Sequence, residues 1–267
     1  MTQSRKFLAL NNIDDFVHFL KESGKSHTNY YHYTSLDVLQ KILTNRTLRF
    51  TRGDSSTLND LHECYEKGDI QIHKRSYIAC FTTNPNESIA MWRLYSKGDT
   101  NMVRIQISKK MLLKWLNNMT IAKSSCCMLL TLTGIELFLS DIAYVRLLNS
   151  ETENEKQIQF TWKQIQNKNK FNNGFDHNCR FTSILKNIAW AYEEECRAII
   201  RFQAESFIHC SYIDIPIDEA FVTSLKILTG PEFQPSKRHE LSQLCQSHGI
   251  SRESIGESLV TGKVNFK

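Results

Sequence analysis

Apolar and polar positions switch between two periods along the chain. Residues 28–51 read as strand, helix, strand: the aromatic run from Asn29 to Tyr33, then Ser35 as a helix cap ahead of Leu36, Leu39, Ile42 and Leu43, then 48–51. The same grammar recurs next. Residues 76–83 are β-rich, Asn84, Pro85 and Asn86 carry turn chemistry, 87–95 have helical spacing, and 102–108 alternate as a strand. A helix over 109–119 should follow, with Met111, Leu112 and Trp115 on one face.

Between 120 and 178 the pattern blurs. Residues 129–148 are apolar without a clear period and 151–173 are rich in Lys, Asn and Gln, which predicts a helical insertion. A helix through Ile184, Ile188 and Tyr192 then runs into a strand over 196–202. Further strands are expected at 207–217 and 221–228, a helix at 236–247, and a last strand near 258–266. Strands and helices interleave without a regular βαβ repeat, and neither a G-x-G-x-x-G nor a Walker sequence occurs. The expected class is α+β, one continuous domain of 267 residues with helices flanking a sheet.

Composition narrows the setting. Ten Gly and four Pro leave little room for long flexible linkers, and 41% apolar content supports a substantial core. The net charge of +5 is compatible with nucleic acid without demanding it. None of the eight cysteines forms a C-x-x-C pair, so no metal site is expected and the thiols read as reduced, in a cytoplasmic protein. No apolar run has the length of a signal peptide or a membrane span, so no membrane partner is expected.

Three clusters can carry chemistry. On a strand, His32 and Thr34 share one face and Tyr31 and Tyr33 the other, so a nitrogen and a hydroxyl can be offered together to a ribose. Alternatively His32 bonds a loop and the tyrosines fill the core. Ser88, Trp92, Tyr95 and Ser96 follow helical spacing, and an aromatic there can stack on a flat cationic ring or face the core. Glu193, Glu194 and Glu195 sit at an expected helix end, where the macrodipole disfavours negative charge, with Glu193, Glu195 and Arg197 projecting to one side. Such a carboxylate can stabilise an oxocarbenium-like charge; the alternative is a solvated turn with an Arg197 ion pair.

In order, Tyr31-His32-Tyr33-Thr34-Ser35, Leu58-Asn59-Asp60 with Glu63, Ala79-Cys80-Phe81-Thr82, Met91-Trp92-x-x-Tyr95 and Trp190-x-Tyr192-Glu193-x-Glu195-x-Arg197 resemble the bacterial family of domain of unknown function 2971 (DUF2971). That family resembles a distant branch of the ADP-ribosyltransferase superfamily of the H-Y-E kind. The resemblance implies a split, mixed or antiparallel sheet and NAD as substrate, without metal. It also implies His32 as the ribose-binding histidine supported by Thr34, and Tyr95, with Trp92 beside it, as the nicotinamide-stacking aromatic. Glu195 takes the place of the catalytic glutamate, with Glu193 able to exchange roles and Arg197 flanking it.

The activity so implied is transfer of ADP-ribose to a macromolecular acceptor, nucleic acid or protein, in a toxin or antiviral defence effector held in check by a regulator or antitoxin. The alternatives are an NAD glycohydrolase, with water as acceptor, and a catalytically inactive binding module. Arg46, Arg49 and Arg52, or His73, Lys74 and Arg75, are candidate rims for nucleic acid, and the 120–178 insertion is the expected determinant of target choice.

Overall fold

The computed structural model describes residues 27–55, 74–118, 123–124, 135–145, 183–202 and 210–263. The chain divides into two compact units, one of Met1–Ser26, Thr51–Ile78 and Met128–Ser211, the other of His27–Phe50, Ala79–Cys127 and Tyr212–Lys267.

The second of these is built on β1 (Asn29–Ser35), which pairs antiparallel with β4 (Met102–Ser108) along its whole length, from Asn29↔Ser108 to Ser35↔Met102. On its other side β1 meets β3 (Ser76–Thr82) at Tyr31↔Thr82. β4 also pairs antiparallel with β11 (Lys226–Thr229), which pairs parallel with β12 (Ile255–Glu257), so the sheet is mixed. β2 (Thr47–Arg52) neighbours β10 (Tyr212–Pro216), which pairs with β5 (Lys123–Ser124).

Helices start where hydroxyl or carboxylate caps precede apolar periodicity. Ser35 Oγ accepts from Val38 N at 3.3 Å to open α1 (Leu36–Asn45), whose Leu36, Leu39, Ile42 and Leu43 are buried. Ser88 opens α2 (Ile89–Ser96) and Ser108 opens α3 (Lys109–Asn117) in the same way. α1 closes on Arg46 at φ 49° and α2 on Lys97 at φ 47°, left-handed positions usually filled by glycine and here held by side-chain-bearing residues in a glycine-poor chain. Trp115 on α3 is the centre of one core: its ring lies 5.8 Å from Phe50 and 5.3 Å from Phe221, and its Nε1 donates to the Pro216 carbonyl at 2.6 Å.

In the other unit β6 (Ile135–Asp141) and β9 (Glu195–Phe202) form an antiparallel ladder from Ile135↔Phe202 to Asp141↔Cys196, and every residue of β9 is buried. β7 (Ala143–Val145) and β8 (Leu185–Asn187) pair in parallel. Arg201 ties this unit together, donating from Nε to Ser76 Oγ and from Nη2 to Ser183 Oγ, both at 3.1 Å.

The α+β class and the mixed pairing agree with the sequence, and several boundaries do not. The helix expected through 184–192 is β8 followed by a 3-10 helix, Ile188–Glu193. The strand expected at 221–228 opens as a helix, α4 (Glu219–Thr223), because Asp218 Oδ1 caps Phe221 N at 2.7 Å; the strand begins only at Lys226. The closing strand is β12, ahead of the expected 258–266, and α5 (Arg238–Ser247) is the expected C-terminal helix. Within the expected helical insertion, the described residues form strands β5, β6 and β7, since periodicity alone does not separate a short apolar run in a strand from one in a helix; residues 146–178 lie outside the described residues, as does the 58–63 motif. Cys80, Cys196 and Cys245 are not in disulfides, but Cys210 is disulfide-bonded, against the expectation of reduced thiols throughout. No helix among the described residues is long and apolar enough to cross a membrane.

Truncating Trp115 removes two ring contacts and a buried hydrogen bond together. Trp115→Ala should cost about 3–5 kcal/mol. Trp115→Phe should cost about 1–3 kcal/mol, because the Pro216 carbonyl is left without its donor. Urea unfolding midpoints check both, and equal losses would contradict the separate role of the hydrogen bond.

Candidate active site

The turn into β9 gathers the third sequence cluster. After the 3-10 helix, Glu194 takes a left-handed φ of 43°, and its N–H donates to the Ala191 carbonyl at 3.2 Å. This reversal turns the side chains of Glu193 and Glu195, two residues apart, toward the same cation. Lys186 Nζ on β8 donates to Glu193 Oε2 at 2.6 Å and to Glu195 Oε2 at 3.2 Å. Arg197, one strand repeat beyond Glu195, donates to Glu195 from Nε at 2.7 Å and from Nη2 at 3.1 Å, and from Nη1 to the Ser183 carbonyl at 3.0 Å. Both oxygens of Glu195 thus accept from charged donors, the strong kind of hydrogen bond.

Burial makes these contacts consequential. Glu193 is 0% exposed, Arg197 1%, Lys186 2% and Glu195 4%. The solvated turn offered as the alternative reading of this cluster is therefore replaced by a buried network, although the Arg197 ion pair it invoked is present. The two carboxylates differ in environment. Glu193 Oε1 is buried without a hydrogen-bond partner, and burial, followed by the nearby Glu195 charge, pushes the Glu193 carboxyl up to about 7 against an ordinary value of 4.5. The Glu195 N–H donates to Tyr144 Oη at 2.8 Å, and burial, then Glu195, raises the Tyr144 phenol well above its ordinary value.

The first and second clusters lie in the other unit. His32 Nδ1 is 2.9 Å from the Cys80 carbonyl, which can only accept, so Nδ1 carries the proton and Nε2 presents a lone pair. Burial lowers the His32 pKa and keeps the ring neutral near neutrality. Thr34 is buried on the same face of β1, the face on which Tyr30 and His32 both meet the ring of Phe81 edge-on. Tyr31 and Tyr33 occupy the opposite face, where the Arg104 guanidinium lies 4.6 Å and 5.9 Å from their ring centroids.

Trp92 packs on that opposite face. It is 2% exposed, 4.6 Å from Tyr33 in an edge-on contact, and donates from Nε1 to Glu87 at 3.1 Å. Of its two readings, the core-facing one describes it. Tyr95 joins the same cluster of Tyr33, Met91, Trp92 and Met102. Tyr95 and Trp92 therefore pack on the face of β1 opposite that of His32 and Thr34. Arg49 pairs bidentately with Asp214 at 2.8 and 2.9 Å and lies over Tyr212, Arg52 pairs with Asp54, and Arg46 caps α1; His73 lies outside the described residues. No group of metal-ligating side chains is found among the described residues.

Lys186 and Tyr144 were not singled out from the sequence. The available signal was a lone charge, Lys186, among Ile184, Leu185 and Ile188, where a charge that becomes buried needs a partner.

A raised carboxyl sets a pH dependence of stability. Below about 4.5 Glu193 is protonated whether folded or not; as pH rises toward about 7 only the unfolded chain releases the proton freely. The folded protein should therefore lose on the order of 3 kcal/mol from this group across that interval. Denaturation midpoints across pH should show the slope in wild type and lose it in Glu193→Gln; an unchanged slope would contradict the assignment.

Comparison with known proteins gives a family match and two structures. Residues 91–198, from α2 to β9, match the family described as "Protein of unknown function (DUF2971)", a segment that includes Tyr95, Lys186, Glu193, Glu195 and Arg197 and begins after His32. No curated protein matches. Two solved structures align: Thermus sp. 2.9 DarT in complex with carba-NAD+, 14% identical with a TM-score of 0.36, and the same protein in complex with NAD+, 12% identical with a TM-score of 0.37. Each alignment covers 87% of this chain and 96% of the other. Residues 91–198 are thus similar to DUF2971.

Proposed function

We propose that this chain cleaves NAD⁺ at the nicotinamide–ribose bond and passes ADP-ribose to a macromolecular acceptor. The observation that carries the reading is the carboxylate pair at the start of β9: one carboxylate is faced by charged donors, and its neighbour has an affinity for protons near neutrality. Paired carboxylates whose environments separate their proton affinities divide electrostatic from acid–base work. The motif resemblance to the H-Y-E branch of ADP-ribosyltransferases supplies the reaction class.

In this mechanism the bond between ribosyl C1′ and the nicotinamide nitrogen breaks, and its electron pair leaves with nicotinamide. Glu195 holds the ribose 2′-hydroxyl and stabilises the positive charge developing at C1′. The acceptor forms the new bond to C1′, and Glu193, in its carboxylate form, takes the acceptor's proton. Arg197 keeps Glu195 oriented. Trp92 has a packing role, and Tyr95 belongs to that packing cluster.

An activity that consumes NAD⁺ harms the cell that makes it, so it suits a toxin or antiviral defence effector and calls for a regulator. With Arg49 and Arg52 each tied to a carboxylate, a protein is as apt an acceptor as a nucleic acid.

Glu195→Gln should lower nicotinamide release from NAD⁺ by ~100-fold or more, with little change in KM. Adding protein lysate, DNA or RNA with NAD⁺ labelled in its adenylate half should transfer label to one class of acceptor. Wild-type rates in Glu195→Gln would overturn the assignment, and free ADP-ribose as the sole product would replace transfer by hydrolysis.

A further inference from the structure

Lys186 lies outside every motif that carries the family resemblance, yet the network at the start of β9 turns on it. It is 2% exposed, bridges Glu193 and Glu195, and its Nζ lies 4.8 Å from the Trp190 ring centroid. A buried ammonium is costly unless opposite charges and hydrogen bonds offset the loss of water. Here one cation answers two carboxylates. β7 and β8 run parallel with Tyr144 and Lys186 as register partners. Tyr144 takes the backbone N–H of Glu195, and Lys186 takes its carboxylate. The short two-stranded ladder therefore grips Glu195 at both ends, while Arg197 closes the remaining side from β9.

We infer that Lys186, paired with Tyr144 on the β7–β8 ladder, is a positioning residue that aligns Glu195 for reaction and couples it to Glu193. The inference rests on the NAD⁺-cleaving reading for its functional meaning and on geometry for its substance. A cation shared by two carboxylates makes the charge of each depend on the other: protonation of Glu193 leaves Lys186 to Glu195 alone. Among the described side chains, the other charged and titratable groups on the elements packed around the cluster are Asp141 at the end of β6, Tyr144 on β7, Tyr192 and Glu194 at the turn, and Cys196, Arg197 and Arg201 on β9.

The test uses the full chain with Lys186→Met, Lys186→Arg, Glu193→Gln and the double variant Lys186→Met/Glu193→Gln, the last removing one charge of each sign so that the fold is kept if Lys186→Met alone does not fold. In nicotinamide release, Lys186→Met should lower kcat by ~100-fold with KM nearly unchanged, as expected when a reacting group is misplaced rather than removed from binding. Its acid limb should move to higher pH, Lys186→Arg should recover part of the rate, and the double variant should remain slower than Glu193→Gln. Carbon-13 titration of the glutamate carboxyls, which needs no turnover, should show the Glu193 midpoint rising in Lys186→Met. A double variant as fast as Glu193→Gln, or an unmoved pH limb and carboxyl titration, would overturn the inference. If wild type releases no nicotinamide, the NAD⁺ reading fails by itself, and the carboxyl titration still decides whether Lys186 governs the pair.

Discussion

A single buried ammonium answering two buried carboxylates is the constraint around which the candidate site is organised. Removing Lys186 or Glu195 leaves an uncompensated charge where water does not reach, and the cost of that is several times the worth of a surface ion pair. The network is not an efficient way to stabilise a fold, since well-packed apolar side chains of similar volume commonly do as well or better. Its presence beside an acceptor oxygen with no partner, on Glu193, fits a site arranged for charge and proton handling.

Local backbone geometry produces this arrangement. On an unbroken strand the first and third of three consecutive glutamates would share one side. Here the run is not a strand: the 3-10 helix ends at Glu193 and Glu194 is left-handed, and the first and third still converge on Lys186 while the second carries the bend. A non-glycine residue in that conformation costs about 1 kcal/mol or more, and the buried ion pairs on either side of it hold it there. Strand pairing supplies the remaining order: β9 is fixed along β6, and the parallel β7–β8 pair presents Tyr144 and Lys186 side by side.

Much of this was legible in the sequence, and the residues show why the rest was not. β1, β4 and the helices α1 and α3 were readable because serine caps and clean periodicity agreed with each other. The pairing of Glu195 with Arg197 followed from i, i+2 alternation on an extended segment, whereas Glu193, at the end of a 3-10 helix, meets them through Lys186. Strand alternation also separated His32 and Thr34 from Tyr31 and Tyr33, but the face on which α2 packs is a tertiary fact, so the placement of Tyr95 and Trp92 beside Tyr33 had no local signal. The 184–192 stretch misled because Ile184, Ile188 and Tyr192 satisfy a helical period that β8 and a 3-10 turn also accommodate. Lys186 stayed hidden for the same reason: its partners are seven and nine residues away, beyond the i, i+3 and i, i+4 neighbours that touch on a helix and the i, i+2 neighbours that align on a strand.

The account stands or falls on charge development at the ribosyl carbon under the influence of Glu195. The most direct measurement is the secondary isotope effect on nicotinamide release from NAD⁺ deuterated at ribosyl C1′. An oxocarbenium-like transition state predicts slower release from the deuterated substrate, a normal effect clearly above unity. An effect of unity, or intact NAD⁺ after long incubation with excess protein, would contradict the account.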